Sequence, residues 1–140
     1  MLVFTKGPFV LHPSQFIVDE AWIAFKLNDA PIRTKSDGNF NFIALMDAAS
    51  CFILSSATVP TNATEPSRME AVRLLNEGQA DKRQLPKTLF ISSEQPANFL
   101  AAEAERQGIT VVRVAEDQLL LFIGEAREGF REHFSGGATQ

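Results

Sequence analysis

Only one cysteine, Cys51, occurs in the 140 residues, so no internal disulfide can close and a small disulfide-stapled secreted fold is excluded. Positive charge is not in surplus either. Thirteen Lys and Arg face 17 Asp and Glu, a formal net charge of -4. A protein that grips phosphates draws affinity from counterion release and carries a basic excess, so nucleic acid is not the expected partner. Apolar runs are short: residues 119–123 fall far below the roughly 20 residues that span a bilayer, and no membrane association is expected. The first eight residues lack the basic leader, apolar run and small-residue cleavage site of a signal peptide, which makes the cytoplasm the expected compartment. Histidine is scarce as well. His12 and His133 stand apart from each other and from Cys51, so no zinc spacing exists. Nor is there a Gly-rich phosphate loop, a nucleophile elbow or a dinucleotide fingerprint.

What the chain does have is phenylalanine: twelve, beside one Trp and no Tyr. Phe supplies packing area without a polar handle, which reads as core filling rather than a base-stacking surface. At 45% hydrophobic and 21% charged, the composition is that of a globular chain and not a disordered one. The length suits one domain. The reading is an N-terminal arm over 1–14, one α/β domain over 15–134 and a disordered tail over 135–140.

The arm holds Gly7, Pro8 and Pro13, with one short strand expected around Phe9-Val10-Leu11. Trp22-Ile23-Ala24-Phe25-Lys26-Leu27 alternates as a half-buried strand does, although a helix over 15–27 capped by Ser14 competes with it. A loop over 28–39 closes on Asp37-Gly38-Asn39. A second strand over 40–46 and a third over 51–57 flank the tight turn Asp47-Ala48-Ala49-Ser50, and runs so close must form a hairpin. A helix follows with Thr64 as N-cap, Met69, Val72 and Leu75 inward, Leu74 at the edge of that face and Gly78 at its end. A strand at 87–91 then feeds a helix opened by Ser92 and Gln95 in capping-box spacing, with Ala97, Leu100, Ala101 and Ala104 inward and Gly108 as its stop. A fifth strand at 109–114 precedes a last helix capped by Asp117, which buries Leu119, Ile123, Ala126, Phe130 and Phe134. Hairpin-linked strands are antiparallel and crossover-linked strands parallel, so the expected fold is α/β: a mixed five-stranded sheet in the order βββαβαβα with helices on the sheet faces.

This element order resembles the ribonuclease H-like superfamily, and the local sequence is similar to its retroviral-type integrase and transposase branch. The branch carries Trp-x-x-Asp on its first strand, Asp-x-x-Ser at the end of its second and an Asp-rich turn before a Phe after its fourth. Trp22-Ile23-Ala24-Phe25, Asp47-Ala48-Ala49-Ser50 and Ile91-Ser92-Ser93-Glu94-Gln95-Pro96-Ala97-Asn98-Phe99 stand in those three places, within residues 16–134. The resemblance implies a two-metal phosphoryl-transfer site, which needs converging carboxylates because the ions must activate water and stabilise the leaving oxygen. Yet the first-strand Asp falls on Phe25, whose ring cannot ligate a hard cation, and the fourth-strand Asp on Ser93. Only the last-helix carboxylate has candidates, Glu125 and Glu128. On this fold, the nuclease centre has been lost.

The resulting expectation is a non-catalytic binding or assembly module, with no catalytic residue, cofactor or metal, partnered by a second copy of itself or by another protein. The alternatives are a nuclease dependent on Mg or Mn through a relocated set, Asp19, Glu94 and Glu125, and a single-stranded nucleic-acid binding module. Asp47 reads as a turn former, and Glu125, Glu128 and Glu132 as surface charges paired with Arg127 and Arg131. Cys51 reads as an inert thiol in an apolar strand. Ser92-Ser93 reads as a helix cap, with an anion at the free N–H groups of that helix start as the lesser alternative. Lys82, Arg83 and Lys87 form the sole basic cluster, on a solvated connector.

Overall fold

A computed structural model describes residues 11–35, 38–80 and 85–138, with side chains to residue 132. Its strands are β1 (Ala21–Lys26), β2 (Phe40–Asp47), β3 (Ile53–Pro60), β4 (Thr88–Ser92) and β5 (Thr110–Val114). The helices are α1 (Arg68–Gln79), α2 (Asn98–Arg106) and α3 (Leu120–Ala138), with single 3-10 turns at Pro13–Gln15 and Glu116–Leu119. The five strands form one mixed sheet in the order β3-β2-β1-β4-β5. β1 runs antiparallel to β2 and parallel to β4, and β5 is parallel to β4.

β1, the central strand, is buried on both faces along nearly its whole length. Trp22 and Ala24 point into one core, with Ala71, Leu74 and Leu75 of α1 and Leu100 and Ala104 of α2. Ala21, Ile23 and Phe25 point into the other, with Leu119, Phe122 and Ile123 around the start of α3. Phe16, ahead of β1, joins this second core edge-on to Phe90, 5.8 Å between centroids. Of the nine Phe with described side chains, Phe16, Phe25, Phe90 and Phe122 lie in or against this second core, while Phe52 and Phe99 are exposed.

Several element boundaries differ from the expected ones, each for a local reason. The competing helix over 15–27 does not form. Only the turn Pro13–Gln15 is helical, and His12, not Ser14, caps it: Ser14 N donates to His12 Nδ1 at 3.0 Å. β3 begins two residues late because Cys51, with φ +61°, belongs to the turn. α1 is capped by Ser67 rather than Thr64, the Glu70 N–H donating to Ser67 Oγ at 3.1 Å. That shift rotates the helix: Ala71, Leu74, Leu75 and Gly78 face inward, and Met69, expected inside, is 79% exposed. Gly78 therefore lies within the helix and not beyond it. A Cβ there would sit 2.6 Å from Leu45 Cδ2, so the glycine lets α1 approach the sheet.

The capping box at Ser92 and Gln95 is absent, since Ser92 completes β4 and α2 starts six residues later behind Ala97. The helix-cap role expected of Ser92-Ser93, and the anion site that depended on it, go with it. Gly108 does stop α2, at φ +90°. Asp117 lies inside the second 3-10 turn rather than at a helix cap. α3 runs to Ala138, into the segment expected as a tail; residues 139–140 lie outside the described residues, as do residues 1–10 of the arm, Lys82 and Arg83. No strand is present at Leu11, which is buried in the second core.

Candidate functional site

Parallel neighbours β1 and β4 send their chains out of the same end of the sheet, where loops from several elements converge. Open sheets place ligand sites at such carboxyl ends. β1 ends at Lys26 and β4 at Ser92, and the chain after β5 returns past both through Glu116. Between them lies a depression of about 300 Å³ lined by Lys26, Asn28, Asp29, Glu94, Glu116 and Arg127. A second, of about 200 Å³, shares Lys26 and Glu94 and extends toward Asn41, Thr64 and Glu65. Together they make a polar furrow with Lys26 on the ridge.

Each side chain in it is held by a specific partner. Asn28 is fully buried. Its Nδ2 donates to Ala30 O and Asn41 Oδ1, and its Oδ1 accepts from Phe42 N at 2.7 Å, so the amide splices the β1 exit onto β2. Ser92 Oγ donates to Glu94 Oε1 at 2.7 Å, and Glu116 N donates to the same oxygen at 3.2 Å. These bonds, the hydroxyl's first, hold the Glu94 carboxyl below its ordinary range. Asp29 is likewise lowered, chiefly by its hydrogen bonds from Arg131 Nε and Nη2 at 3.0 and 2.7 Å.

Arg127 closes the inner wall. Its Nε and Nη2 donate to Lys26 O at 3.0 and 2.9 Å, and its Nη1 to Glu116 Oε2 at 3.0 Å. The guanidinium lies over the Phe25 ring, 5.9 Å from the centroid. Phe25, at 1% exposure, fills the position where the resemblance would put the first metal carboxylate. The ring offers no oxygen to a hard divalent ion, and the guanidinium over it adds a like charge.

The relocated set does not assemble. Asp19 precedes β1, with φ +69° and its N–H donating to Asp47 Oδ1 at 2.7 Å, whereas Glu94 follows β4. These are opposite ends of a parallel pair, roughly 20 Å apart along six residues of strand. Glu125 is exposed on α3 and near the Asp19 end. After burial, its charge and that of Asp47 are what raise the Cys51 thiol, in the β2–β3 turn. Among the described residues no three His, Cys, Asp or Glu side chains are grouped to hold a metal ion.

Other expected roles stand or shift individually. Asp47 is the turn former: it pairs with Trp22 at the entrance of β1, and its Oδ2 accepts from Ser50 N and Ser50 Oγ at 2.8 and 2.7 Å. Glu128 pairs with Arg131 on the helix surface at 3.0 Å. Arg127, expected in that same surface pairing, turns inward instead. The one signal in the sequence is that 127 lies four residues beyond Ile123, on the border of the buried stripe; its acceptor, Lys26 O, is 101 residues away. Glu65, expected in the first turn of α1, reaches across to α2, its Oε1 accepting from Phe99 N at 2.8 Å. That bond supplies the cap which Ala97 cannot.

No protein-family model matches the chain, and no curated protein is similar to it in sequence. Among solved structures it is similar to a chain in the cryo-EM structure of a simian T-cell lymphotropic virus intasome in complex with the PP2A regulatory subunit B56 gamma. The TM-score is 0.52 at 11% identity, over 93% of this chain and 45% of that one, so this chain spans less than half the length of that chain. At such identity the likeness is a weak one, of fold alone.

Proposed function

We propose that the chain is a non-catalytic binding or assembly domain built on a ribonuclease H-like frame, acting in the cytoplasm through protein contacts. One observation carries the reading: Phe25, covered by Arg127, occupies the place where that frame would hold its first metal-binding carboxylate. The frame is supported by the element order, the sheet order and the weak likeness to the intasome chain. In the furrow, one oxygen each of Asp29, Glu94 and Glu116 accepts a hydrogen bond from Arg131, Ser92 and Arg127, and among the described residues no three such side chains are grouped to hold an ion. A polar furrow of this kind suits recognition better than chemistry.

Thermal unfolding in Mn²⁺ and Mg²⁺ tests it. A bound ion stabilises the folded state by RT ln(1 + [L]/Kd), about 2.7 kcal/mol at a hundred times Kd. The expected result is an unchanged midpoint at millimolar metal and no cleavage of labelled DNA or RNA. A metal-dependent rise with cleavage would overturn the reading in favour of a nuclease. Salt-sensitive retention of a labelled single strand without cleavage would replace the protein partner by nucleic acid.

A further inference from the structure

Two features that the fold leaves unused meet along one side of the sheet. The first is the outer edge of β3, which pairs with no further strand among the described residues. Phe42 directs its C=O to Leu27 N and its N–H to Asn28 Oδ1, both toward β1. In an antiparallel ladder its register partner, Thr58, must therefore point its own N–H and C=O away from β2, and so must Ser56. Arg73 Nη2, donating to Ser56 O at 3.1 Å from α1, agrees with that direction. Natural edges are blunted by charge or shortness. The opposite edge, β5, obeys this: it has five residues and an exposed Arg113. β3 has eight residues and no charge, with a proline only at its last position.

The second feature is the flank of α1 that overhangs this edge. Met69 and Val72, on the Arg73 side, line a broad apolar depression, with Arg68 toward its N-terminal end and Glu77 toward its C-terminal end. Arg73 ties flank and edge into one continuous surface.

We infer that a second copy of this chain docks here, β3 against β3 in antiparallel pairing about a two-fold axis, with the two α1 helices side by side. The inference rests on the assembly reading above and names its partner and its face. The two ends of the flank differ in charge, Arg68 at one and Glu77 at the other, with Glu77 also pairing with Arg73 of its own helix at 2.8 Å. A two-fold rotation sets α1 antiparallel to its mate, so the Arg68 end of each helix meets the Glu77 end of the other, and the Met69–Val72 patches meet in the middle. Ser56 O accepts from Arg73 and keeps a second lone pair for a partner amide. A strand of roughly 26 Å beneath a helix of about 18 Å gives on the order of 500 Å² per copy, near the threshold for a specific interface.

Sedimentation velocity on the full chain, from micromolar to submillimolar concentration, tests it together with Thr58→Lys and Met69→Lys. Both residues are exposed, so unchanged melting points will show that the variants fold. The expected result is a concentration-dependent dimer whose Kd rises about tenfold or more in each variant. Amide exchange at Ser56 and Thr58 should slow as the concentration rises. A monomer at every concentration overturns the inference and leaves a different protein as the partner. A dimer indifferent to both substitutions overturns it and leaves self-assembly through another face. Protection at Ser56 and Thr58 independent of concentration assigns the edge to a segment of the same chain and equally overturns it.

Discussion

The guanidinium of Arg127 lies over the ring of Phe25 and donates two hydrogen bonds to the carbonyl of the next residue, Lys26. One side chain from the last helix thus seals the end of the central strand. At 14% side-chain exposure its charge is largely withdrawn from water, and Glu116 Oε2 balances it.

Arg127→Ala should destabilise the fold by about 1–3 kcal/mol, the cost of leaving a carbonyl and a carboxylate without their charged donor. Arg127→Lys should recover part of this, because an ammonium cannot reproduce the planar fork that spans Lys26 O and Glu116. Phe25→Ala should cost more, about 3–5 kcal/mol, since the ring is fully buried. Urea unfolding of the three variants measures the order. If Arg127→Ala leaves the midpoint unchanged, the seal has no structural role.

Gly78→Ala offers a test of the α1 packing. At an unrestricted helix position the change is favourable by up to about 1 kcal/mol. Here the new methyl meets Leu45 Cδ2 at 2.6 Å and the Trp22 ring at 3.4 Å, so a loss of about 1–3 kcal/mol is expected instead. Trp22 is the single tryptophan, fully buried, and its fluorescence should report the displacement. Leu45→Ala in the same chain should absorb part of the loss, giving non-additive energies in a double-mutant cycle.

Asp47 is 1% exposed and joins two turns, accepting from Asp19 N on one oxygen and from Ser50 N and Oγ on the other. Asp47→Ala orphans those donors and should cost about 2–4 kcal/mol. Asp47→Asn keeps one acceptor oxygen and should fall between. Amide exchange at Asp19 and Ser50 locates the effect: equal exchange rates in wild type and Asp47→Ala would contradict it.

Acid should weaken the protein through a small set of carboxylates. Arg106, and then Gln107, hydrogen-bond Glu103 and bring its carboxyl from 4.5 to about 2. Asp29 and Glu94 are shifted in the same direction. A depressed carboxyl favours the folded state once ionised, so its contribution is complete above the unfolded value and disappears as pH falls from 4.5 toward 2. Glu103→Gln should therefore be less stable than wild type at pH 7, with the two converging near pH 2. A gap that persists unchanged across that range would point to packing and not to charge.

The residues themselves determine much of this protein. The aromatic and branched run Trp22-Ile23-Ala24-Phe25 marks β1, although the strand is buried on both faces and not half-buried as expected; the Asp47 turn forces the β2–β3 hairpin and Gly108 stops α2, because each depends on contacts a few residues apart. That position 25 carries an aromatic ring and no carboxylate was equally plain, since it is a matter of identity and not of position. What sequence could not decide were contests between local signals and distant partners. Ser92 and Gln95 have capping-box spacing, yet Ser92 is drawn into β4 by Arg113 and Val114 of the neighbouring strand, and Glu65 arrives from another loop to cap α2. α1 is rotated so that Gly78 can lie against Leu45, leaving Met69 outside. Arg127 sits among surface charges in sequence but finds Lys26, 101 residues away, as its acceptor. Asp19 and Glu94 are fit metal ligands by chemistry alone. The parallel pairing of β1 with β4 puts them at opposite ends of the sheet, and only the folded chain contains that fact.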